Sequence, residues 1–444
     1  MRFFSILPAQ GRVVTDPRLH ALALSTPGDG PAVVARAPAR VNLIGEHTDY
    51  NGLPVLPIAI DRDVLVAARR RPDDAVELSN VDPAFEPRHY SLRGEIPPFP
   101  PGDWANYHKA AAVGLRDALA REHALPGGSF RVHGTIPIAA GLSSSSALVV
   151  ACGLAHLALA DVELPRLELA EFLAGAERYV GTLGGGMDQA TTLLARAGHA
   201  LHIDFFPLRA RPVPVPTAAG FVVAHSLEPA EKSGRVRGLY NQRVVECRLA
   251  CALLARRTGV AATRLGDFPD RVALLADLAR LLPETEVPAS ALPELLGLTP
   301  DEVRVRVLGE ATLAAPGRFA LQRRVRHVLG EADRVAAAEQ ALQRGDLAAL
   351  GDLMNASHRS CAEDYDVSTP ALDHLAALAR AHGALGGRLT GAGFGGAIVA
   401  LVERDRVAAL IAALDRHFYA ARGGRSDLRL PVEPRGGATV ARME

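Results

Sequence analysis

The chain has 444 residues, 48% of them apolar and 22% charged, a globular composition with room for more than one core. Lysine plus arginine equals aspartate plus glutamate at 49 each, so neither a basic field for nucleic acid nor a polybasic arm for a membrane surface is present, and small-molecule partners are expected. Lysine occurs only at 109 and 232, after His108 and Glu231, which excludes a Gly-Lys-Ser/Thr phosphate loop and the Val-Ala-Ile-Lys strand of protein kinases.

Cys152, Cys247, Cys251 and Cys361 form no metal-like pairing, and Cys247 and Cys251 share a helix face with Val244 and Leu254, which reads as core. The apolar run at 1–8 is too short for a signal peptide, and the stretch 136–160 carries four consecutive serines and fails as a membrane span. Together with unpaired thiols this predicts a cytoplasmic chain, expected to work as a monomer.

Extended apolar runs at 33–37 and 54–60 flank Arg40-Val-Asn-Leu-Ile-Gly-Glu46-His47-Thr-Asp49-Tyr-Asn-Gly52. Asn51-Gly52 predicts a hairpin turn beside this polar cluster. One reading is a solvated loop, with an Asx turn at Asp49 and Arg40 paired to Glu46. The other is recognition of a polyhydroxylated ligand, since carboxylates and a neutral imidazole accept hydrogen bonds from sugar hydroxyls. Further strands are expected around 64–66 and 75–79, and a helix N-capped by Asp103 up to about Arg121. Trp104, the one tryptophan, would anchor the start of that helix on the core.

A strand through Phe130, Val132 and Ile136 ends at 137–142, and Ser143-Ser-Ser-Ser-Ala147 opens a helix. Free backbone N–H groups at a helix start, with side chains lacking bulk, suit an anion. A helix over 165–179 carries Glu177. The run Gly184-Gly-Gly-Met-Asp188-Gln lets a backbone and a ligand come close, or joins two halves with Asp188 capping a helix over 189–194. A strand through 201–205 precedes proline-studded residues 207–216, read as a hinge, so the lobe boundary falls between about 180 and 216. A strand at Phe221, a helix to Arg257, a leucine- and proline-rich stretch at 260–316 without legible chemistry, and helices at 317–343, 346–363 and 370–383 follow. Leu389-Thr-Gly391-Ala-Gly393-Phe-Gly395-Gly396 contains a dinucleotide-type glycine spacing. A strand follows it where that fingerprint requires a helix, so it reads instead as a strand-turn-strand that can press on a phosphate loop. A last strand near 438–441 returns to a sheet that the sequence does not identify.

The 40–52 stretch, Gly141-Leu142-Ser143-Ser144-Ser145-Ser146-Ala147 and the 389–396 turn together resemble the three motifs of galactokinases, within the small-metabolite kinases that also act on homoserine, mevalonate and phosphomevalonate. Ala39 stands where a glycine commonly precedes the arginine, and Leu53-Pro54 where a small residue is usual. The resemblance implies an α+β, two-lobed GHMP-kinase fold: an N-terminal lobe (1–180) with a mixed sheet, a C-terminal lobe (181–444) with an antiparallel sheet, and the active site in the cleft between them. It implies ATP and Mg2+ as cofactors, with the 141–147 backbone around the triphosphate and Ser79, Asn80 and Trp104 near the adenine. By the same likeness Ser145 and Glu177 ligate Mg2+, Asp188 is the catalytic carboxylate, Arg40 its charge-stabilising partner, and Glu46, His47, Asp49, Gly185 and Tyr240 hold the hexose.

The implied reaction is phosphorylation of the anomeric hydroxyl of galactose. The runs 177–188 and 241–250 look closer to the N-acetylgalactosamine kinase branch, which keeps that substrate as an alternative. A sugar sensor that binds ATP and galactose without turnover is disfavoured, because Arg40, Ser145, Ser146, Ala147 and Asp188 are all present. A serine hydrolase lacks its Gly-x-Ser-x-Gly elbow.

Overall fold

The computed structural model describes residues 16–119, 124–230, 235–309, 317–424 and 428–443; Lys232, Arg121 and the run 1–8 lie outside them. The first half runs α1 (Pro17–Ser25), β1 (Ala32–Asn42), β2 (Pro57–Arg70), β3 (Ala75–Asn80), β4 (Arg88–Ser91), α2 (Ala105–Leu119), β5 (Gly128–Gly134), α3 (Ser144–Leu159), α4 (Arg166–Ala176) and α5 (Met187–Leu194). Then come β6 (His199–Asp204), β7 (Arg209–Pro214), β8 (Ala219–His225), α6 (Arg235–Thr258), the short α7 (Arg271–Ala276) and α8 (Leu278–Leu281), β9 (Val287–Pro288), α9 (Leu292–Leu296), α10 (Pro300–Glu302) and β10 (Arg318–Phe319). Helices α11 (Leu321–Arg344), α12 (Leu347–Glu363) and α13 (Pro370–Ala381), strands β11 (Gly386–Thr390) and β12 (Ala397–Glu403), α14 (Val407–Leu414), β13 (Arg429–Val432) and β14 (Thr439–Met443) complete the chain.

The larger sheet has the order β14-β1-β2-β5-β3-β4 and is mixed, because β3 joins β5 in parallel while its other neighbours are antiparallel. Strands β1 and β2 carry consecutive apolar residues, at 32–35 and 64–68, because both faces are covered there. Val33, Ala35, Val66 and Ala68 point into the main core that contains α3, whereas Ala32, Val34, Leu65 and Ala67 pack under Leu19 and Leu22 of α1. Sandwiched between that sheet and α2, α4 and α5, α3 is buried around nearly its whole circumference, which accounts for its membrane-like hydropathy. The second sheet is antiparallel, in the order β11-β12-β8-β13, with its own core against α6, α11 and α13. Helix α11 belongs to both cores: Val325, Val328 and Ala332 lie in the second, Val335 and Ala338 in the first.

Two expectations change. Asn51-Gly52 does not close a two-residue hairpin; Asp49–Asn51 form a single 3-10 turn capped by left-handed Gly52, inside a long connection between β1 and β2. The proline-studded 207–216 stretch is not a bare hinge, since β7 pairs with β6 across Leu201–Pro212 and His199–Pro214. Proline is tolerated there because β7 is an edge strand with no further neighbour to receive its N–H groups. The last strand, β14, returns to the first sheet and pairs with β1.

Candidate active site

Strand β1 ends in Arg40 and Asn42, and the polar connection that follows is almost entirely buried, so its charges need partners from elsewhere in the chain. Arg40 does not pair with Glu46 on a surface. Its Nε donates to Asp188 Oδ1 at 2.7 Å and its Nη1 to the Gly141 carbonyl at 2.7 Å, tying the head of α5 to the serine loop. Burial works against the guanidinium charge, but the Asp188, Glu46 and Asp49 carboxylates prevail and hold its pKa above the ordinary arginine value. Asp188 Oδ2 accepts from the Ser143 hydroxyl, and from Ser146 Oγ at 3.3 Å. Ser143 has a left-handed backbone (φ 59°) and makes no side-chain cap to α3, which leaves its hydroxyl to Asp188.

Ser146 also donates to Glu177 Oε1 at 2.8 Å, and Gln189 Nε2 donates to Glu177 Oε2 at 2.7 Å. Ser145, the expected metal ligand, is half-buried one position earlier on α3 and does not make this contact. Successive helix positions are rotated by about 100°, which brings Ser146 round to Glu177. A hydroxyl beside a carboxylate at an anion-binding helix start is an oxygen donor set that fits Mg2+. Among the described residues no group of three or more His, Cys, Asp or Glu could hold a metal by itself.

The 391–396 turn presses on the serine loop as expected. A Cβ on Gly391 would stand 2.5 Å from the Gly141 carbonyl oxygen, and one on Gly141 2.9 Å from that of Thr390. The expected adenine residues lie further off. Trp104 Nε1 donates to the Glu86 carbonyl at 3.0 Å, its ring meets Phe85 edge-on, and Ser79 Oγ donates to Phe130 O at 3.3 Å. Ser79 and Asn80 end β3, beside the strand that leads into the serine loop.

Glu46, His47, Asp49, Gly185 and Tyr240 line one small cavity of about 50 Å3 together with Arg40, Glu177 and Asp188. Asp49 accepts the backbone N–H groups of Tyr50 at 2.9 Å and Met187 at 3.4 Å; burial first, and the Asp188 charge second, push its pKa up to about 6. Glu46 Oε1 takes the Gly391 N–H at 2.8 Å and Arg388 Nη1 at 3.2 Å. His47 has both ring nitrogens engaged, Nε2 with the Ala392 carbonyl at 3.2 Å and Nδ1 with Tyr50 Oη at 2.9 Å. Burial lowers its pKa far below the usual histidine range, so the ring is neutral, with Nε2–H donating and Nδ1 accepting. Tyr365 Oη lies 2.7 Å from Tyr50 Oη and supports it from beneath, and the Tyr240 ring stands 5.6 Å from that of His47.

Comparison with known proteins agrees with this constellation. Residues 25–70 match the galactokinase galactose-binding signature, 106–196 the GHMP kinase N-terminal domain and 338–420 the GHMP kinase C-terminal domain. A galactokinase of Chloroflexus aurantiacus is 40% identical over 401 residues, covering 90% of each chain. The chain belongs to the galactokinase family. A Dictyostelium discoideum family member is 33% identical over 432 residues, 88% of this chain and 85% of its own length. Lactococcus lactis galactokinase, solved in complex with galactose, superposes with a TM-score of 0.76 at 28% identity, covering 95% of this chain and 98% of its own. A mevalonate kinase, at 18% identity and a TM-score of 0.55, shares the fold.

Several residues of this family member's site escaped the sequence reading. Thr182, Gln189 and Ala392 line the cavity, and Arg388, Tyr365, Glu331 and His327 form the buried layer behind it. Arg388 was within reach, being a lone cation in an otherwise apolar stretch directly before the 389–396 motif.

Proposed function

We propose that the chain transfers the terminal phosphoryl group of ATP to the anomeric hydroxyl of galactose, giving α-galactose 1-phosphate and ADP. The observation that carries this reading is the meeting of Arg40, Asp188, the Gly141 carbonyl and the Ser143 and Ser146 hydroxyls at one spot beside the Glu46–Asp49 cavity. A non-catalytic sensor has no need of a carboxylate and guanidinium poised there.

Galactose lies against Glu46, Asp49, Gly185 and Tyr240, with its C1 hydroxyl toward Asp188, which accepts or polarises the proton as the oxygen attacks the terminal phosphorus. Arg40, paired with Asp188 at 2.7 Å, offsets the negative charge on the moving phosphoryl group, and such transfer depends mostly on position and charge. The backbone N–H groups opening α3 receive the triphosphate, and Ser79, Asn80 and Trp104 lie toward the adenine. Ser146 and Glu177 are the residues that would hold Mg2+, which when bound neutralises charge between the phosphates. Every residue named comes from one chain, so a monomer suffices. The lobes divide near residue 180, with β14 rejoining the first. Four buried free cysteines suit a cytoplasmic setting, and among the described residues no helix is long and apolar enough to cross a membrane.

The test is galactose-dependent ADP release. Asp188→Asn, which keeps an oxygen acceptor for Arg40, should still unfold cooperatively and lose turnover by about 10²–10⁴-fold. Wild-type turnover in that variant would remove Asp188 from the chemistry, and release of ADP with N-acetylgalactosamine in preference to galactose would redirect the substrate assignment.

A further inference from the structure

Behind the glycine loop lies a second, larger cavity of about 370 Å3. It shares Gly184, Gly185 and Gly186 with the sugar cavity, so that loop is a wall between the two. Three guanidinium groups line it, those of Arg178, Arg248 and Arg264, against the single carboxylate of Glu171. Arg178 and Arg248 are exposed, stand close enough to repel one another, and make no ion pair among the described residues. Arg264 stacks 4.0 Å over the Phe206 ring, and its Nε is buried without a hydrogen-bond partner. Phe206 is itself 52% exposed. Two guanidiniums without an ion-pair partner among the described residues, with a third that Asp267 holds at 3.5 Å, beside an exposed aromatic ring suit a phosphate group attached to a sugar-sized ring.

The wall couples the cavities. The sugar side, at about 50 Å3, is much the narrower of the two cavities. Gly185 already packs so tightly that a Cβ would stand 2.3 Å from Tyr50 N and 2.5 Å from Asp49 Cγ. A glycine loop displaced away from Asp49 and Tyr50 would move toward the rear cavity, where the space is.

We infer that the Arg178–Arg248–Arg264 cavity binds a phosphorylated sugar, and that its occupant opposes galactose binding by holding the glycine loop forward. The direction of the coupling rests on the sugar-kinase reading; the anion site itself does not.

The test is calorimetric titration of the intact chain, without nucleotide, using glucose 6-phosphate and inorganic phosphate as probes, on wild type, Arg178→Gln/Arg248→Gln and Phe206→Ala. Glucose 6-phosphate should bind saturably, about tenfold or more weaker in the double variant, as expected for lost charge-assisted bonds. It should weaken by a smaller factor in Phe206→Ala. Saturating glucose 6-phosphate should lower galactose affinity severalfold in wild type and leave it unchanged in the double variant, whose galactose affinity alone matches wild type. Absence of binding, or equal binding in the double variant, which would put the anion on the serine loop, overturns the site. Inorganic phosphate binding as tightly as the ester overturns the sugar-phosphate assignment. A chain that binds the ester at these arginines yet never releases ADP with galactose would sink the kinase reading and leave the anion site standing.

Discussion

Arg40–Asp188 and Arg388–Glu46 are chemically the same pair in different surroundings. Both join the 40–49 stretch to distant segments, and both bury the arginine almost completely. Asp188 keeps 13% of its side chain exposed and meets hydroxyl donors that can rotate when substrate arrives. Arg388 is fully enclosed, with Nε on Ser357 at 3.1 Å, Nη1 shared between the Asn42 carbonyl and Glu46, and the Glu331 carboxylate nearby. Burial pulls its pKa down, but the Glu46 charge and its neighbours raise it above the usual arginine value. One pair is free to change charge partners; the other fixes the angle at which Glu46 faces the cavity.

The largest effect that separates the pairs is on stability. Arg388→Met leaves the buried Glu46 without its ion-pair partner, while Glu331 keeps Arg334 at 2.6 Å, and breaking a buried pair costs about 3–5 kcal/mol. A denaturant titration should show that loss, whereas Asp188→Asn should cost less, because Arg40 keeps an oxygen acceptor and the Glu46 and Asp49 charges. An unchanged midpoint in Arg388→Met would mean that the enclosed pair is not structural.

The sequence makes this contrast hard to see. Both partners of the local guess, Arg40 with Glu46, are real members of the site, but each takes a partner far along the chain, Asp188 in one case and Arg388 in the other. Composition cannot reveal such crossings; the 40–52, 141–147 and 389–396 motifs could, because each carries enough polar or glycine residues to announce a ligand. Helices α3, α11, α12 and α13 were legible from capping and periodicity. Strand β7 was not, because its prolines disguise an edge, and Asn51-Gly52 misled because a left-handed glycine caps a 3-10 turn as readily as it closes a hairpin. Motif likeness points to Ser145 as the metal hydroxyl and the Glu177 contact to Ser146, two positions that differ only in helix phase.

The serines sharpen the open pair. Ser146 bridges Glu177 and Asp188, so Ser146→Ala removes a hydrogen bond to charged groups worth about 1.5–3 kcal/mol; turnover should fall about 10- to 100-fold, and the Mg2+ concentration for half-maximal rate should rise. Ser145→Ala should change both by no more than about threefold, one ordinary exposed-side hydrogen bond being worth less. The reverse ranking would return the metal role to Ser145.

The smallest effect comes from Asp49, which lies between the two pairs and feels both. Its pKa of about 6 exceeds the free aspartate value of about 3.9, so over the window from about 4 to about 6 the native state binds a proton that the unfolded chain releases. In that window Asp49 alone makes stability rise as pH falls, the opposite of a salt-bridged carboxylate. Sugar binding should run the other way if Asp49 is the hexose acceptor, because an ionised carboxylate has more acceptor capacity for hydroxyls than the acid. Galactose KM should therefore rise as pH drops below about 6, by at most about tenfold per unit, with kcat less affected. Asp49→Asn should have a high KM that no longer follows pH across this window. A wild-type KM that is flat from pH 7 to 5 would mean that Asp49 is not the hexose acceptor and that the enclosed Glu46 carries that contact without it.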